Sequence, residues 1–408
     1  MLSWDTTPAL STMRCARAWV EINLGALAHN VKWLKALLPE GTDLMSVIKA
    51  DAYGHGAVTV AEVAIASGTT WLGVATVPEG IELRQAGIQV PILVMGAVND
   101  PEEVRAIAHW HLQPTIVNPK QALVFSDMLK DQADAQTRLP VHIKLDTGMS
   151  RLGYSWQQAV EFARFVQQLP YLEAVGLCSH LATADSSDQT VMRLQHDRFE
   201  QAIAALKQAD LLPPRLHLAN SAATLVAPEL HYDMVRVGLS TYGLYPAPHL
   251  RPYQNTHSSP EAALQPVLEV KARITHIKEI DADTGVSYSY KFIASRPMKI
   301  AIVGIGYADG VPRMLSNRMQ VILNEQRVSQ IGAITMDQLM LDISHLENVQ
   351  EGDIVTLLGK TQNHCLHADE WAEMAGTISW EILCGFKHRL PRITRASRSR
   401  SEIASKYR

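Results

Sequence analysis

Eight short apolar runs, separated by longer segments, occupy roughly the first 240 residues of this 408-residue chain. The runs are rich in Val, Ile and Leu and are flanked by turn residues, as buried parallel strands are. They are LMSVIK (44–49), WLGVAT (71–76), PILVMG (91–96), QPTIVN (113–118), PVHIKLD (140–146), AVGLCSH (174–180), RLHLAN (215–220) and MVRVGLS (234–240).

Helical spacing of apolar residues marks the segments 24–38, 58–67, 101–110, 156–169 and 198–209. Eight β–α alternations of this size predict an N-terminal (β/α)8 barrel of the TIM type. A doubly wound sheet is less consistent with the sequence, because no G-x-G-x-x-G turn follows an early strand.

The pattern changes after about residue 255. Residues 252–266 have the composition of a linker, and the runs beyond them are short, β-branched and often alternating. We therefore predict an α/β protein with a C-terminal, mainly β domain. The expected division is an N-terminal extension (1–17), a barrel (18–255), a β domain (256–395) and a basic, disordered tail (396–408).

Composition narrows the class of protein. A net charge of −4 does not favour nucleic acid, and no apolar run approaches the length of a membrane span. The N-terminus lacks the apolar stretch of a signal peptide, and the four cysteines form no C-x-x-C pair. We expect a cytoplasmic protein with no metal site, no nucleic-acid partner and no membrane contact.

Polar residues cluster where the predicted strands end, and a barrel builds its active site at the C-terminal ends of its strands. Lys144 shares one face of the fifth strand with His142 and Asp146, since side chains alternate with period two. The other polar positions at or near strand ends are Lys49, Arg151, His180, His217, Asn220, Ser221 and Arg236. Several buried cations are costly without an anionic partner. This pattern predicts a substantial anionic ligand at the barrel mouth, and a phosphate-bearing cofactor fits.

The stretch SVIKADAYGHG (46–56) suggests which cofactor it is. Cationic neighbours make the ammonium of Lys49 easier to deprotonate, and a neutral lysine amine adds to aldehydes. Pyridoxal 5'-phosphate (PLP) is an aldehyde that brings its own phosphate, which the hydroxyl of Tyr53 could reach. Taken alone, the stretch also fits a strand end followed by a turn.

A family resemblance covers residues 18 to about 395. VIKADAYGHG closely resembles the PLP-lysine motif of alanine racemases. Further motifs follow in the family's order and spacing: IKLDTGMSRLG (143–153), SHLATAD (179–185), HLANSAAT (217–224), MVRVGLSTYGL (234–244), GVSYSYKF (285–292), IGYADGVPR (305–313) and ITMDQLMLD (334–342). The resemblance implies a (β/α)8 barrel joined to a C-terminal β domain, and PLP-dependent interconversion of L- and D-alanine.

The resemblance also implies roles for single residues. Lys49 would hold PLP covalently and act as one proton-transfer base. Tyr288 of the partner subunit would be the second base, so activity would require a homodimer.

The remaining roles also follow from the resemblance. Lys144 matches a lysine that is often carbamylated. The implied contacts to cofactor are Tyr53, Arg151, His180, His217, Asn220, Ser221, Arg236, Gly238, Leu239 and Trp380. Arg151, Met336 and Tyr307 would bind substrate, and Asp185, Arg313 and Asp337 would line the approach to the site.

One departure from the family pattern is Trp380 in TISWEIL, where the family usually carries Tyr. That Tyr normally assists phosphate binding and narrows the pocket, so a serine racemase or one of broader specificity is an alternative function. A non-catalytic PLP-binding barrel is another, although the β domain and Tyr288 count against it. A PLP decarboxylase of basic amino acids fits the HLANSAAT and GVSYSY motifs less well. As a racemase, the protein would supply D-alanine for peptidoglycan.

Overall fold

The computed structural model describes residues 16–130, 138–251 and 263–395. These residues form two compact units. One comprises Ala26–Ala52 and Gly56–Gln265, and the other comprises the residues up to Gly25, Tyr53–His55, and those from Pro266 onward. The predicted basic tail, most of the N-terminal extension and most of the linker lie outside the described residues.

The first strand, β1 (Ala18–Asn23), pairs with strands of the second unit, although the predicted division assigns it to the barrel domain. The strands that follow lie in the first unit. They are β2 (Asp43–Val47), β3 (Trp71–Val74), β4 (Ile92–Val94), β5 (Gln113–Ile116), β6 (Leu139–Asp146), β7 (Tyr154–Ser155), β8 (Leu172–Cys178), β9 (Arg215–His217) and β10 (Met234–Val237).

Eight of these strands form a parallel sheet in the order β10-β2-β3-β4-β5-β6-β8-β9. Backbone bonds from Asp233 N to Leu216 O (3.1 Å) and from Arg236 N to Ala219 O (3.0 Å) join the two ends of the sheet. The predicted (β/α)8 barrel is confirmed, and each of the eight apolar runs overlaps one of its strands. Met45, Trp71, Leu93 and Met234 pack together in the barrel core.

The helices of the barrel unit follow the predicted amphipathic segments and add α3, α5 and α8. They are α1 (Leu24–Ala36), α2 (Ala57–Ala66), α3 (Val77–Gln85), α4 (Pro101–His109), α5 (Pro119–Leu129), α6 (Ala159–Gln168), α7 (Thr190–Gln208) and α8 (Ser221–Val226). Three of these helices have N-capping side chains. Those of Asp100, Asn118 and Asn220 accept hydrogen bonds from backbone N–H groups in the first turns of α4, α5 and α8. None of the described helices is long and apolar enough to cross a membrane.

A helical turn, Lys49–Gly54, follows β2 directly. Residues 50–53 all have φ between 52° and 54°, so the turn is left-handed. For non-glycine residues this conformation costs roughly 1–2 kcal/mol each. Strain of this kind persists only where the surroundings enforce it, and it concentrates at functional sites.

The second unit is built mainly of antiparallel strands. Besides β1 they are β11 (Leu268–Ile280), β12 (Gly285–Val286), β13 (Phe292–Ile293), β14 (Met298–Val303), β15 (Gln320–Leu323), β16 (Gln326–Ile331), β17 (Leu339–Asp342), β18 (Ile354–Lys360), β19 (Cys365–Leu366) and β20 (Arg392–Arg395). The order β11-β14-β17-β16-β15-β18 returns to β11, so six strands form a closed ring. Two helices, α9 (Ala368–Ala375) and α10 (Ser379–Gly385), complete the unit. The predicted C-terminal β domain is confirmed.

Candidate active site

A cavity of about 230 Å³ lies at the C-terminal ends of the barrel strands. Its described lining includes four cationic side chains, Lys49, Lys144, Arg151 and Arg236, and no carboxylate. His180 and His217 also line it. The barrel therefore brings together six of the residues that the sequence placed at strand ends. A cavity with this electrostatic character favours an anionic ligand.

Arg236 is anchored in the cavity by several hydrogen bonds. Its Nη1 donates to His217 Nδ1 (2.9 Å) and His217 O (2.8 Å). Its Nη2 donates to Ser179 O (2.7 Å) and Leu218 O (3.1 Å) and lies 3.3 Å from His180 Nδ1. Burial lowers its pKa from the ordinary value, but the guanidinium of an arginine stays protonated in proteins. The carbonyl and imidazole acceptors therefore hold a buried positive charge in a fixed orientation.

The contact with His217 continues through the barrel interior. His217 Nε2 lies 2.9 Å from His142 Nδ1, and His142 Nε2 lies 3.0 Å from Gln113 Oε1. Arg236 can only donate, so His217 accepts at Nδ1 and donates from Nε2. His142 then accepts at Nδ1 and donates from Nε2 to Gln113. One set of tautomers satisfies every member of this chain with both imidazoles neutral.

The pKa values agree with neutral imidazoles. Burial, with a smaller effect from Arg215 and then Arg236, lowers the pKa of His142 to about 3. Burial and the charge on Arg236 hold the pKa values of His180 and His217 well below the usual range. Gly176 on β8 makes room for the chain, since a Cβ there would lie 2.1 Å from His142 Nδ1.

Lys144 also lines the cavity, two residues after His142 on β6, and is 9% exposed. Its pKa is lowered, first by burial and then by the charges of Arg236, Arg151 and Lys49. It stands opposite Cys178 in the β6–β8 register, and burial raises the pKa of that thiol. A lysine in this setting loses its proton more readily than a free one.

A second polar group forms after β9 and β10. Gly238 N donates to Ser221 Oγ (3.0 Å), and Leu239 begins the 3-10 turn Leu239–Tyr242. Asn220 accepts from Ala223 N (3.1 Å) and so caps α8. Ser221, Gly238 and Leu239, all predicted to contact the cofactor, are therefore close neighbours in the fold.

The other predicted residues of the barrel unit lie outside this cavity, and the rest belong to the second unit. Asp185 is exposed in the barrel unit. Tyr53 is buried in the second unit, and burial raises its pKa.

Tyr288 is 69% exposed, and its neighbours Ser287, Ser289 and Tyr290 all have positive φ. Met336 and Tyr307 lie in adjacent loops joined by the bonds Tyr307 N to Thr335 O (2.9 Å) and Ala308 N to Met336 O (3.0 Å). Asp337 forms an ion pair with Arg389 (2.7 Å). Arg313 is exposed, and Trp380 is half-buried in α10.

Four residues of or beside the site were not among the predicted site residues. His142 and Gln113 form the buried chain, Cys178 lines the cavity, and Glu79 bonds to the residue after Lys49. Two of them left a signal in the sequence: His142 is two positions before Lys144, on the same strand face, and Thr76-x-x-Glu79 is a capping-box pattern. Gln113 and Cys178 left none.

The fold and the cavity together define a two-unit barrel protein with a lysine-centred cationic site. Comparison with known proteins identifies its family. Residues 22–246 match the alanine racemase N-terminal domain, and residues 267–394 match the alanine racemase C-terminal domain. The chain belongs to the alanine racemase family and is an enzyme of that activity, an isomerase.

Individual relatives agree with this assignment. The chain is 62% identical over 377 residues to an alanine racemase of Nostoc sp., covering 92% of this chain and 95% of that one. The crystal structure of alanine racemase from D-cycloserine producing Streptomyces lavendulae superposes with a TM-score of 0.86 at 33% identity, covering 94% of this chain and 98% of that one. Alanine racemase from Bartonella henselae, with covalently bound pyridoxal phosphate, gives 0.81 at 27% identity, covering 93% and 100%.

Proposed function

We propose that this protein racemises alanine with PLP held by Lys49, using Lys49 and the partner subunit's Tyr288 as the two bases. The observation that carries the proposal is the cavity at the barrel mouth, where Lys49 meets three further cations and no carboxylate among the described lining residues. A phosphorylated aldehyde fits this cavity in two ways. Its phosphate would neutralise the excess positive charge, and its carbonyl would react with the amine of Lys49. The Bartonella relative, which carries this group covalently, supports the same choice.

PLP supplies stabilisation of the negative charge that develops at the α carbon when its proton leaves. The residues of this chain would do the rest. Ser221 with the backbone at Gly238 and Leu239 would bind phosphate, together with Tyr53 and Trp380. Arg236 would contact the ring nitrogen as a fixed donor, because its guanidinium does not give up a proton.

Substrate would be oriented by its carboxylate. Arg151 would pair with it, the backbone N–H of Met336 would donate to it, and Tyr307 would contact it beside Met336. Lys49 would move a proton at one face of the α carbon and Tyr288 at the other. Cationic surroundings favour the deprotonated form of a tyrosine, which is the form able to accept a proton.

The second unit supports the homodimer. Tyr288, Tyr290, Ile293, Met314 and Met336 are each more than half exposed in the single chain. Several large apolar side chains left this exposed in one unit are typical of a surface that another chain covers. We propose that this surface meets the barrel mouth of the partner and that Tyr288 completes the partner's site.

Lys144 is proposed to carry a carbamate. Its amine is buried with a lowered pKa, so a larger share of it is neutral and able to react with carbon dioxide. The modification would replace a cation by an anion beside Arg151 and ease the crowding of positive charge. D-Alanine formed in the cytoplasm for peptidoglycan is the proposed biological output.

The test uses the purified protein with PLP. The visible spectrum would be recorded for the wild type and for Lys49→Ala, and D-alanine and D-serine formation would be followed by chiral chromatography. Loss of the lysine-bound PLP band in Lys49→Ala, with D-alanine formed much faster than D-serine, supports the proposal. Comparable D-serine would favour the broader racemase that Trp380 suggests. A band without racemisation would favour a PLP-binding protein, and the absence of any band would refute the assignment of Lys49.

A further inference from the structure

We infer that Glu79 is a positioning residue for Lys49, because its carboxylate fixes the start of the left-handed turn that follows that lysine. The inference rests on the proposed role of Lys49 and assigns this glutamate a task beyond capping α3. Glu79 is half-buried at the first turn of α3, and Lys49 and Glu79 both lie in the barrel unit.

The carboxylate of Glu79 accepts three backbone N–H groups from two segments. Its Oε2 accepts from Ala75 N (2.7 Å) and Thr76 N (3.1 Å), and its Oε1 accepts from Ala50 N (2.7 Å). The bond to Thr76 is the one that a glutamate makes when it caps its own helix, and Ala75 is the residue before that cap. The bond to Ala50 is not needed for that purpose, and it joins the β3–α3 turn to the residue directly after Lys49.

The left-handed turn needs restraints at both ends because its non-glycine residues strongly disfavour this backbone conformation. Asp51 provides one restraint: its carbonyl accepts from Gly56 N (3.0 Å) and its Oδ1 accepts from Ala57 N (2.8 Å). Glu79 provides the restraint at the start, through Ala50. An ionised carboxylate is a stronger acceptor than a neutral group, so it suits a strained N–H.

Lys49 itself is thereby held between two anchored neighbours. On one side Ile48 N donates to Gly73 O (2.8 Å), and on the other Ala50 N donates to Glu79. Both anchors belong to the same short segment, residues 73–79, at the end of β3. The Cα of Lys49, and hence the range that its amine can reach, is fixed against the barrel rim by this pair of bonds.

The substitution Glu79→Gln tests the inference, since it keeps the shape and removes the charge. A carboxamide can accept at only one of its two positions, so one of the two segments would face an N–H group and repel it. Glu370 supplies a matched control, because it caps α9 in the same way, accepting from His367 N (3.1 Å), and lies in the other unit.

The readouts are the rate at which apoprotein forms the lysine-bound PLP absorbance, the separate values of kcat and KM, and the thermal midpoint. We expect Glu79→Gln to slow cofactor attachment on the order of tenfold to a hundredfold and to lower kcat more than it raises KM. Glu370→Gln should change the thermal midpoint alone. Adding Ala50→Gly to Glu79→Gln should restore part of the attachment rate, because glycine adopts positive φ without steric cost.

Attachment at the wild-type rate in Glu79→Gln would overturn the inference, as would equal slowing in Glu370→Gln. If Glu79→Gln does not fold, Glu79→Asp replaces it, since the shorter side chain keeps the charge but cannot span both segments. Its attachment rate is then read in the same way. A wild-type protein that never forms the lysine-bound absorbance would instead refute the role of Lys49, and with it this inference.

Discussion

Nη1 of Arg236 lies 2.9 Å from Nδ1 of His217, and this contact sets the protonation of the histidines beneath the site. The arginine can only donate, which makes His217 an acceptor at that nitrogen. His217 then donates to His142, and His142 donates to Gln113. A neutral imidazole pair therefore supports the cation that is proposed to face the cofactor ring.

Stability should depend on pH through His142. Its pKa is about 3 in the folded protein against an ordinary value of 6.5. Between these values the unfolded chain binds a proton at His142 that the folded chain does not. The contribution of His142 to the free energy of unfolding is therefore fully present above about pH 6.5 and is lost as the pH falls toward 3. The slope for one such group is about 1.4 kcal/mol per pH unit.

His142→Gln should remove that share of the slope. The check is urea denaturation of the apoprotein at pH values from 7 down to 4.5, comparing how steeply the midpoint falls in the two proteins. His180 and His217 remain in the variant, so its slope should be smaller but not zero. An unchanged slope would show that His142 is not a buried neutral group.

Tyr288→Phe should abolish most racemisation but leave the proton exchange that Lys49 performs at its own face of the α carbon. Loss of a general base costs on the order of 10² to 10⁴ in rate. The two alanine enantiomers are equally stable, so kcat/KM should fall by the same factor in both directions. In D2O, however, exchange of the α hydrogen should persist for the enantiomer that presents it to Lys49 and disappear for the other.

Tyr290→Phe is the control for this experiment, because Tyr290 is two residues away and is 68% exposed, close to the 69% of Tyr288. Mass spectrometry of recovered L- and D-alanine measures the exchange. Equal residual exchange from both enantiomers in Tyr288→Phe would contradict the assignment of Tyr288 as a base.

Lys144→Gln should lower kcat/KM on the order of tenfold, because it removes the amine proposed to carry the carbamate, and with it the charged partner of Arg151. The specific sign of carbamylation is its dependence on dissolved carbon dioxide. Wild-type activity should fall in carbon-dioxide-depleted buffer and recover with bicarbonate, whereas the variant should respond to neither. A wild-type rate that is indifferent to bicarbonate would leave Lys144 as an unmodified amine.

Trp380→Tyr should bind PLP more tightly than the wild type, since it adds a hydroxyl donor at the position where the family usually has one. A hydrogen bond to a charged group contributes about 1.5–3 kcal/mol, which corresponds to a factor of ten or more in Kd. The control is Trp380→Phe, which has the same ring as the tyrosine variant but no hydroxyl, and its affinity for PLP should not increase. Equilibrium dialysis of PLP measures this, and equal Kd values for the Tyr and Phe variants would show that the hydroxyl makes no contact.

Prediction from the sequence was most successful for features set by local pattern. Each of the eight apolar runs became a barrel strand, because period and composition are properties of a short segment. Lys49, Lys144 and Arg236 were predicted as site residues because burying a charged side chain at an apolar strand is costly unless a partner binds it, and all three line the cavity. The helix α3 and its glutamate were missed, although Thr76 and Glu79 carry the capping pattern.

By itself, the sequence determined the eight β–α units, the change to a β-rich second part, and the set of polar residues at the strand ends. The tertiary structure decided which of those residues come into contact, and hence their protonation states and backbone conformations. The neutral state of His142 depends on burial and on Arg215 and Arg236, which are distant in the chain. The left-handed turn after Lys49 is restrained by Glu79 across a gap of about thirty residues. Neither could be read from local sequence, because pKa values and strained backbones depend on groups that only the closed barrel brings within a few ångströms.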